Sequence, residues 1–189
     1  MKITSAKFLR GIKGTNSILD DNKPQIAFIG RSNSGKSSLI NSLTGVKDLA
    51  ISSNTPGRTK EINIFLINTT HHFMDLPGYG FAKTQAKTLE KLSELIFWYL
   101  FDSKYNPKVV LLIDAEIGPT KDDLAVLKEL EKANKEIVIV LNKVDKIKKS
   151  QYLNQLKKLS KIFVGHEPFP YSSKTKVGIE ELTSELLAN

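Results

Sequence analysis

A three-layer α/β domain on a mostly parallel sheet is predicted by three observations. Short apolar runs of strand length alternate with amphipathic runs of helical length. Two of the apolar runs, VVLLIDA and IVIVLN, lack a polar face, as strands covered by helices on both sides do. A glycine-rich segment, GRSNSGKSS at 30–38, joins an apolar run directly to a helical one.

The elements follow in chain order. QIAFIG is a short buried strand ending in glycine, and SSLINSLTG continues as a helix stopped near Gly45. EINIFLINTT and HHFMDLPG read as two adjacent strands. The first alternates Ile62, Ile64 and Leu66 against Asn63, Phe65 and Ile67, which suits an edge position. TLEKLSELIFWYLF places Leu89, Leu92, Ile96 and Tyr99 at helical spacing. KVVLLIDA is a continuous apolar strand. PTKDDLAVLKELEKAN opens with Thr120 and has Asp123 three residues on, a capping box with Asp in place of Glu. Leu124, Val126, Leu127 and Leu130 supply its buried stripe. EIVIVLNKVD is another buried strand. SQYLNQLKKLSKIF is a helix with Leu153, Leu156, Leu159 and Phe163 inward. PFPYSS is a last short strand and GIEELTSELLAN the closing helix. The sum is six strands, one of them antiparallel at the edge. Loops are expected at 14–23, 46–60 and 78–87. Residues 1–189 are expected to form one domain, with 1–22 an N-terminal extension packing on or near it.

Composition narrows the function classes. The 189 residues suffice for one domain with a real core. There is no cysteine, so no disulfide framework and no thiolate metal site. The start of the chain has no apolar run of signal-peptide length, and no stretch approaches a membrane span, so a cytoplasmic protein is expected. Net charge is +8, unevenly spread: residues 143–161 hold seven lysines against the single acid Asp145. Such a surface suits a polyanion such as RNA, or is merely solvated. His71, His72 and His166 have no metal-ligand spacing with carboxylates.

GRSNSGKS matches the spacing G-x-x-x-x-G-K-[ST] between a strand and a helix. The glycines let backbone N–H groups wrap a phosphate chain, and the helix N-terminus adds partial positive charge. Lys36 places a full charge by the β- and γ-phosphates, and Ser37 offers a hydroxyl to Mg²⁺. The base is chosen elsewhere. NKVD puts Asn142, Lys143 and Asp145 where a strand runs out. One carboxylate accepts both the N1–H and the exocyclic amine of guanine, so Asp145 is the expected reader, and adenine would leave it unpaired. Asn142 bridges base and loops, and the Lys143 stem lies over the ring. DLPG adds Asp75, a water-mediated Mg²⁺ holder, and Gly78, whose N–H senses the γ-phosphate. SSK at 172–174 offers backbone N–H groups to the guanine oxygen.

Taken in order, GRSNSGKS, DLPG, NKVD and SSK resemble the G1, G3, G4 and G5 elements of translation-factor-related P-loop GTPases, whose fold is the G domain. SAKFLRG, SNTPGRTKEINIF and DLPGYGFAK are similar to the EngB (YihA/YsxC) family, and the resemblance spans nearly the whole chain. It implies a weak GTPase binding GTP or GDP with Mg²⁺. It also implies a large ribosomal subunit precursor or its rRNA as partner, and a link to cell division and septation, direct or secondary to ribosome supply. A monomer is expected. Carried onto this chain, it implies nucleotide contacts from Gly30, Arg31, Ser32, Asn33, Ser34, Gly35, Lys36, Ser37 and Ser38. Further contacts come from Gly57, Arg58, Thr59, Lys60 and Glu61, from Asp75, Leu76, Pro77 and Gly78, from Asn142, Lys143, Val144 and Asp145, and from Tyr171, Ser172, Ser173 and Lys174. The metal set is Ser37, Thr59 and Asp75, and the catalytic set Lys36, Thr59 and Gly78. Ser173 departs mildly from the more usual alanine. Without the resemblance, Thr59 reads as an ordinary loop hydroxyl.

Where some GTPases have a water-orienting glutamine after the D-x-x-G, this chain has Tyr79, so intrinsic hydrolysis is expected to be slow. Asn33 either helps hold K⁺ beside the phosphates or only stabilises the loop. Arg58 is a finger in cis or a positioning residue, and Arg31 sits too early in the loop to reach the γ-phosphate easily. IFWYLF reads as core packing rather than base stacking.

Overall fold

The computed structural model describes residues 2–51, 61–80 and 94–188. Among the described residues, seven strands form one sheet: β1 (Ala6–Ile12), β2 (Gln25–Gly30), β3 (Ile62–Ile67), β4 (His71–Asp75), β5 (Lys108–Asp114), β6 (Ile137–Asn142) and β7 (Phe169–Pro170), in the order β1-β3-β4-β2-β5-β6-β7. The helices are α1 (Lys36–Thr44), α2 (Glu94–Phe97, running into a π-helical turn Trp98–Asp102), α3 (Lys121–Lys132), α4 (Tyr152–Ile162) and α5 (Ile179–Leu187).

The class expected from the sequence holds, with seven strands in place of six. The extra one is β1, which lies within the expected N-terminal extension. It pairs antiparallel with β3, from Ala6↔Ile67 to Ile12↔Ile62, with an irregularity between Phe8 and Arg10. β3 is therefore the antiparallel strand, as expected, but it lies one place inside the edge. Bulge, Lys7 and Arg10 are edge-strand features, and they break the alternation that would have announced a strand.

Strand alternation splits the core into two faces. Ile26, Phe28, Val110 and Leu112 meet Leu39, Ile40 and Leu43 of α1 and Leu182, Leu186 and Leu187 of α5. Ala27, Ile29, Leu111 and Ile113 meet Ile96 and the π-turn, α3 and α4. Tyr99 and Leu100 are buried, so the aromatic run packs the core as expected. The expected buried stripes are each off by one member. Leu124 on α3 is 39% exposed and Leu153 on α4 is 69% exposed. Asp123 takes the inward place on α3, because its carboxylate has a buried partner described below. On α4, Leu159 and Phe163 are buried and Leu156 packs against them. His71 and His72 are buried on the inner strand β4, and His166 contacts Glu131. Leu89 and Leu92 lie outside the described residues. Among the described residues no helix is long and apolar enough to cross a membrane.

Candidate nucleotide site

The carboxyl ends of β2, β4, β5 and β6 converge at one end of the sheet. Register aligns them: Phe28 lies opposite Asp75, and Asp114 opposite Asn142. A crevice outside the strand ends, where β2 has neighbours on both sides, is where open α/β sheets take ligands.

The loop from β2 to α1 is held in a shape that glycine requires. A Cβ on Gly30 would stand 2.7 Å from Ser34 Oγ, and one on Gly35 only 2.4 Å from Asn142 Nδ2. Gly35 also has φ 94°. Asn142 Nδ2 donates to Ser34 O at 2.9 Å, and Asn142 Oδ1 accepts from Lys143 N at 2.8 Å. One carboxamide thus ties the end of β6 to the loop 108 positions earlier. Lys143, at φ 65°, donates through Nζ to Asn33 O at 2.6 Å and to Asp114 Oδ2 at 2.7 Å. Asp114 belongs to none of the sequence motifs. Its only local signal is an acid ending an otherwise apolar strand, where it also accepts from Glu116 N at 3.0 Å.

Asp145 sits exposed in the turn after β6, with Oδ1 accepting from Ser172 Oγ at 2.6 Å. Ser172 is fully buried and accepts in turn from Lys174 N and Thr175 N. Tyr171 N donates to Leu141 O and Val144 N to Tyr171 O, which locks the 171–174 segment beside the β6 end. The two far-apart motifs NKVD and SSK therefore meet. Two buried hydroxyls, Ser34 Oγ and Ser173 Oγ, have no hydrogen-bond partner among the described residues.

Lys36 at the start of α1 forms an ion pair with the buried Asp75 at the end of β4. Ser37 lies in the same first turn, and Ser38 is exposed beside it. Glu61 begins at the same end of the sheet, but its carboxylate meets Lys13 at 3.2 Å, on the β1 side. Gly57, Arg58, Thr59 and Lys60 lie outside the described residues. Leu76 and Pro77 are buried, and Gly78 is exposed against Ser32. Arg31 pairs as an isolated bridge with Tyr79, and its side chain lies against Gly80.

Tyr79 is 3% exposed and turns away from the loop. Its hydroxyl donates to Asp123 Oδ1 at 2.5 Å, while Asp123 Oδ2 accepts from Thr120 N at 2.7 Å and Oγ1 at 2.8 Å. Burial, then the Asp123 charge, push the phenol far above its ordinary pKa, so it stays a donor. The expected capping box is present, and its acid also anchors the D-x-x-G segment. Tyr79→Phe should cost about 1–2 kcal/mol in urea unfolding, since Asp123 keeps its Thr120 bonds. An unchanged midpoint would refute the anchor.

This geometry suits a phosphate chain between Gly30 and Ser37 and a purine near Asp145. The family described as 50S ribosome-binding GTPase matches residues 25–143. The EngB GTP-binding protein of Clostridium acetobutylicum is 39% identical over 98% of this chain and 94% of its own.

The chain belongs to the EngB family of GTP-binding proteins.

The EngB protein of Acholeplasma laidlawii agrees, at 38% identity over the whole of both chains. Among solved structures, an EngB crystal structure is 28% identical over 86% of this chain and 96% of its own, with a TM-score of 0.61. Era of Aquifex aeolicus, bound to GDP and AlF4−, is 26% identical over 86% of this chain and 55% of its own, with a TM-score of 0.66. EngB membership carries guanine-nucleotide binding to the chain at the level of the family.

Proposed function

We propose that this chain is a cytoplasmic, slowly hydrolysing GTP switch that acts on a large ribosomal subunit precursor, with effects on division and septation. The single observation carrying the guanine reading is Asp145, exposed at the end of β6 with Oδ1 fixed by Ser172. A carboxylate so held is ready to accept two N–H groups from one base edge. The orphaned hydroxyls of Ser34 and Ser173, one in the loop after β2 and one beside Asp145, support the same reading.

Placement supports the following roles. Lys36 exchanges Asp75 for the β- and γ-phosphates when nucleotide enters, which frees the Asp75 carboxylate. Ser37 and Asp75 are hard oxygen donors of the kind Mg²⁺ takes, with Thr59 as the expected third. The ion, when bound, neutralises charge on the phosphate oxygens. Ser32 N and Ser34 N are already donated to Tyr79 O and Arg31 O, so the phosphates would take their backbone and hydroxyl donors from Gly35 to Ser38, with the Gly78 N–H as the proposed sensor of the γ-phosphate. Tyr79 is committed to Asp123, so no side chain at that position orients water, and basal turnover is slow. Asn33, exposed in the loop, contributes to a K⁺ site. The ribosomal reading is supported by the family description and by the lysines at 143–161.

Cosedimentation with large-subunit particles checks the switch. Binding should be stronger with a GTP analogue than with GDP or no nucleotide, and turnover should be faster in KCl than in NaCl. Equal sedimentation in all three states would end the switch reading, and equal turnover would remove K⁺.

A further inference from the structure

A second polar cavity adjoins the guanine end of the site. It has a volume of about 470 Å³ and lies between the segment at 146–148, the start of α4 and the β5–α3 connection. Lys146, Lys148 and Lys158 line it together with Gln151, Asn154 and Gln155. Gln151, Asn154, Gln155 and Lys158 recur at the three- and four-residue spacing of one helix face. Gln155 Nε2 donates to Ala115 O at 3.0 Å, which closes the floor onto the β5–α3 connection.

Charge selects the occupant. Lys146, Lys148, Lys149, Lys157, Lys158 and Lys161 are all exposed, and among the described residues none meets a carboxylate within 4 Å. Lys2, Lys7 and Lys128 also meet no carboxylate among the described residues, but they are scattered, whereas Lys146, Lys148 and Lys158 converge on one cavity. The cavity therefore gathers uncompensated ammonium groups around three carboxamides. The ammonium groups suit phosphodiester oxygens, and the amides donate to and accept from ribose hydroxyls and base edges. The one acid in the wall, Glu116, accepts from an exocyclic base amine or a 2′-hydroxyl. A protein partner would call for an apolar centre, whereas the lining has only the half-buried Ile147.

We propose that this cavity is a docking site for an RNA strand, with Lys146, Lys148 and Lys158 on its phosphates and Gln151 and Asn154 on its sugars. The inference deepens the proposed function and rests on it for the ribosomal source of the RNA. Asp145 and Lys146 are neighbours in one turn, Val144–Lys146, so the same few residues serve the nucleotide on one side and the strand on the other.

Fluorescence anisotropy on the full chain tests this, with a labelled single-stranded RNA of about 20 nucleotides, the same sequence as DNA, and polyglutamate as competitor. Lys146→Gln/Lys148→Gln/Lys158→Gln should lose at least about tenfold in RNA affinity. Its slope of log affinity against log salt should fall by about 2, as three lost contacts to a single strand require. Lys2→Gln/Lys7→Gln/Lys128→Gln removes the same charge elsewhere and should lose under about threefold. Gln151→Ala/Asn154→Ala should narrow the preference for RNA over DNA. Equal losses for the two lysine triples would overturn the cavity assignment, and so would displacement of RNA by polyglutamate at matched charge, which would indicate an acidic protein. Fluorescent GDP is titrated in parallel. Its failure to bind the parent chain would sink the guanine reading alone, because the comparison of triples needs no nucleotide.

Discussion

Asp145→Asn should exchange guanine for xanthine nucleotides. A carboxylate accepts both the N1–H and the N2–H of guanine. The carboxamide of asparagine keeps one acceptor and sets an N–H donor against the guanine amine. Xanthine carries a carbonyl there, which that N–H can meet. Sites built on such pairing reject an unmatched partner by large factors, so GDP affinity should fall by about 10²–10⁴-fold and xanthosine diphosphate should become the tighter ligand. Ser172 Oγ can still donate to the new amide oxygen, so the loop should keep its shape. Titration of fluorescent GDP and its xanthine counterpart reads the result. Unchanged GDP affinity would mean that Asp145 does not face the base. ATP added as a competitor in the same titration tests a P-loop ATPase or kinase, whose ATP binding would not respond to this carboxylate.

Much of the site was legible because its signals are local. QIAFIG, followed by two glycines five positions apart and a lysine, fixes a strand, a wrapped loop and a helix start together. The stop at Gly45 is seen in the left-handed turn that caps α1. Thr120 and Asp123 announce a helix start by spacing alone. What was missed lies in contacts between distant parts of the chain. At Tyr79 the sequence reports only a missing carboxamide. The Tyr79 hydroxyl reaches a helix 44 residues away, which no local pattern reports. The same contact draws Asp123 inward and turns Leu124 out, an inversion that apolar periodicity alone gets wrong. The sequence suggests a Lys143 stem over a base, while the contacts its ammonium makes tie Asn33 to Asp114. β1 escaped because a bulged, charged edge strand has no clean period of two. Glu61 counts among the nucleotide contacts through the family resemblance alone, and the contact its place before β3 provides is the pair with Lys13.

Gly35→Ala should cost both fold stability and nucleotide binding. Its φ of 94° lies where an L side chain is strained, by about 1–2 kcal/mol for a left-handed residue. The larger effect is steric. The new methyl would stand 2.4 Å from Asn142 Nδ2, so that carboxamide must move. Moving it breaks the bond to Ser34 O and loosens the Lys143 N contact, which together hold loop and base reader at a fixed separation. Both ends of the nucleotide then lose register at once. The expected cost is about 2–4 kcal/mol in urea unfolding, the range for a clash combined with broken buried bonds. GDP affinity should fall by at least about 100-fold, because a loop displaced by a fraction of an ångström forfeits its aligned N–H donors. Gly45→Ala separates strain from collision. Gly45 has φ 68°, yet a Cβ there meets nothing within 4 Å. It should cost about 1 kcal/mol and leave GDP binding intact. If the two variants bind GDP alike, the Asn142 tie does not set the loop, and the coupling between phosphate cradle and base reader must run through Lys143 and Asp114 instead.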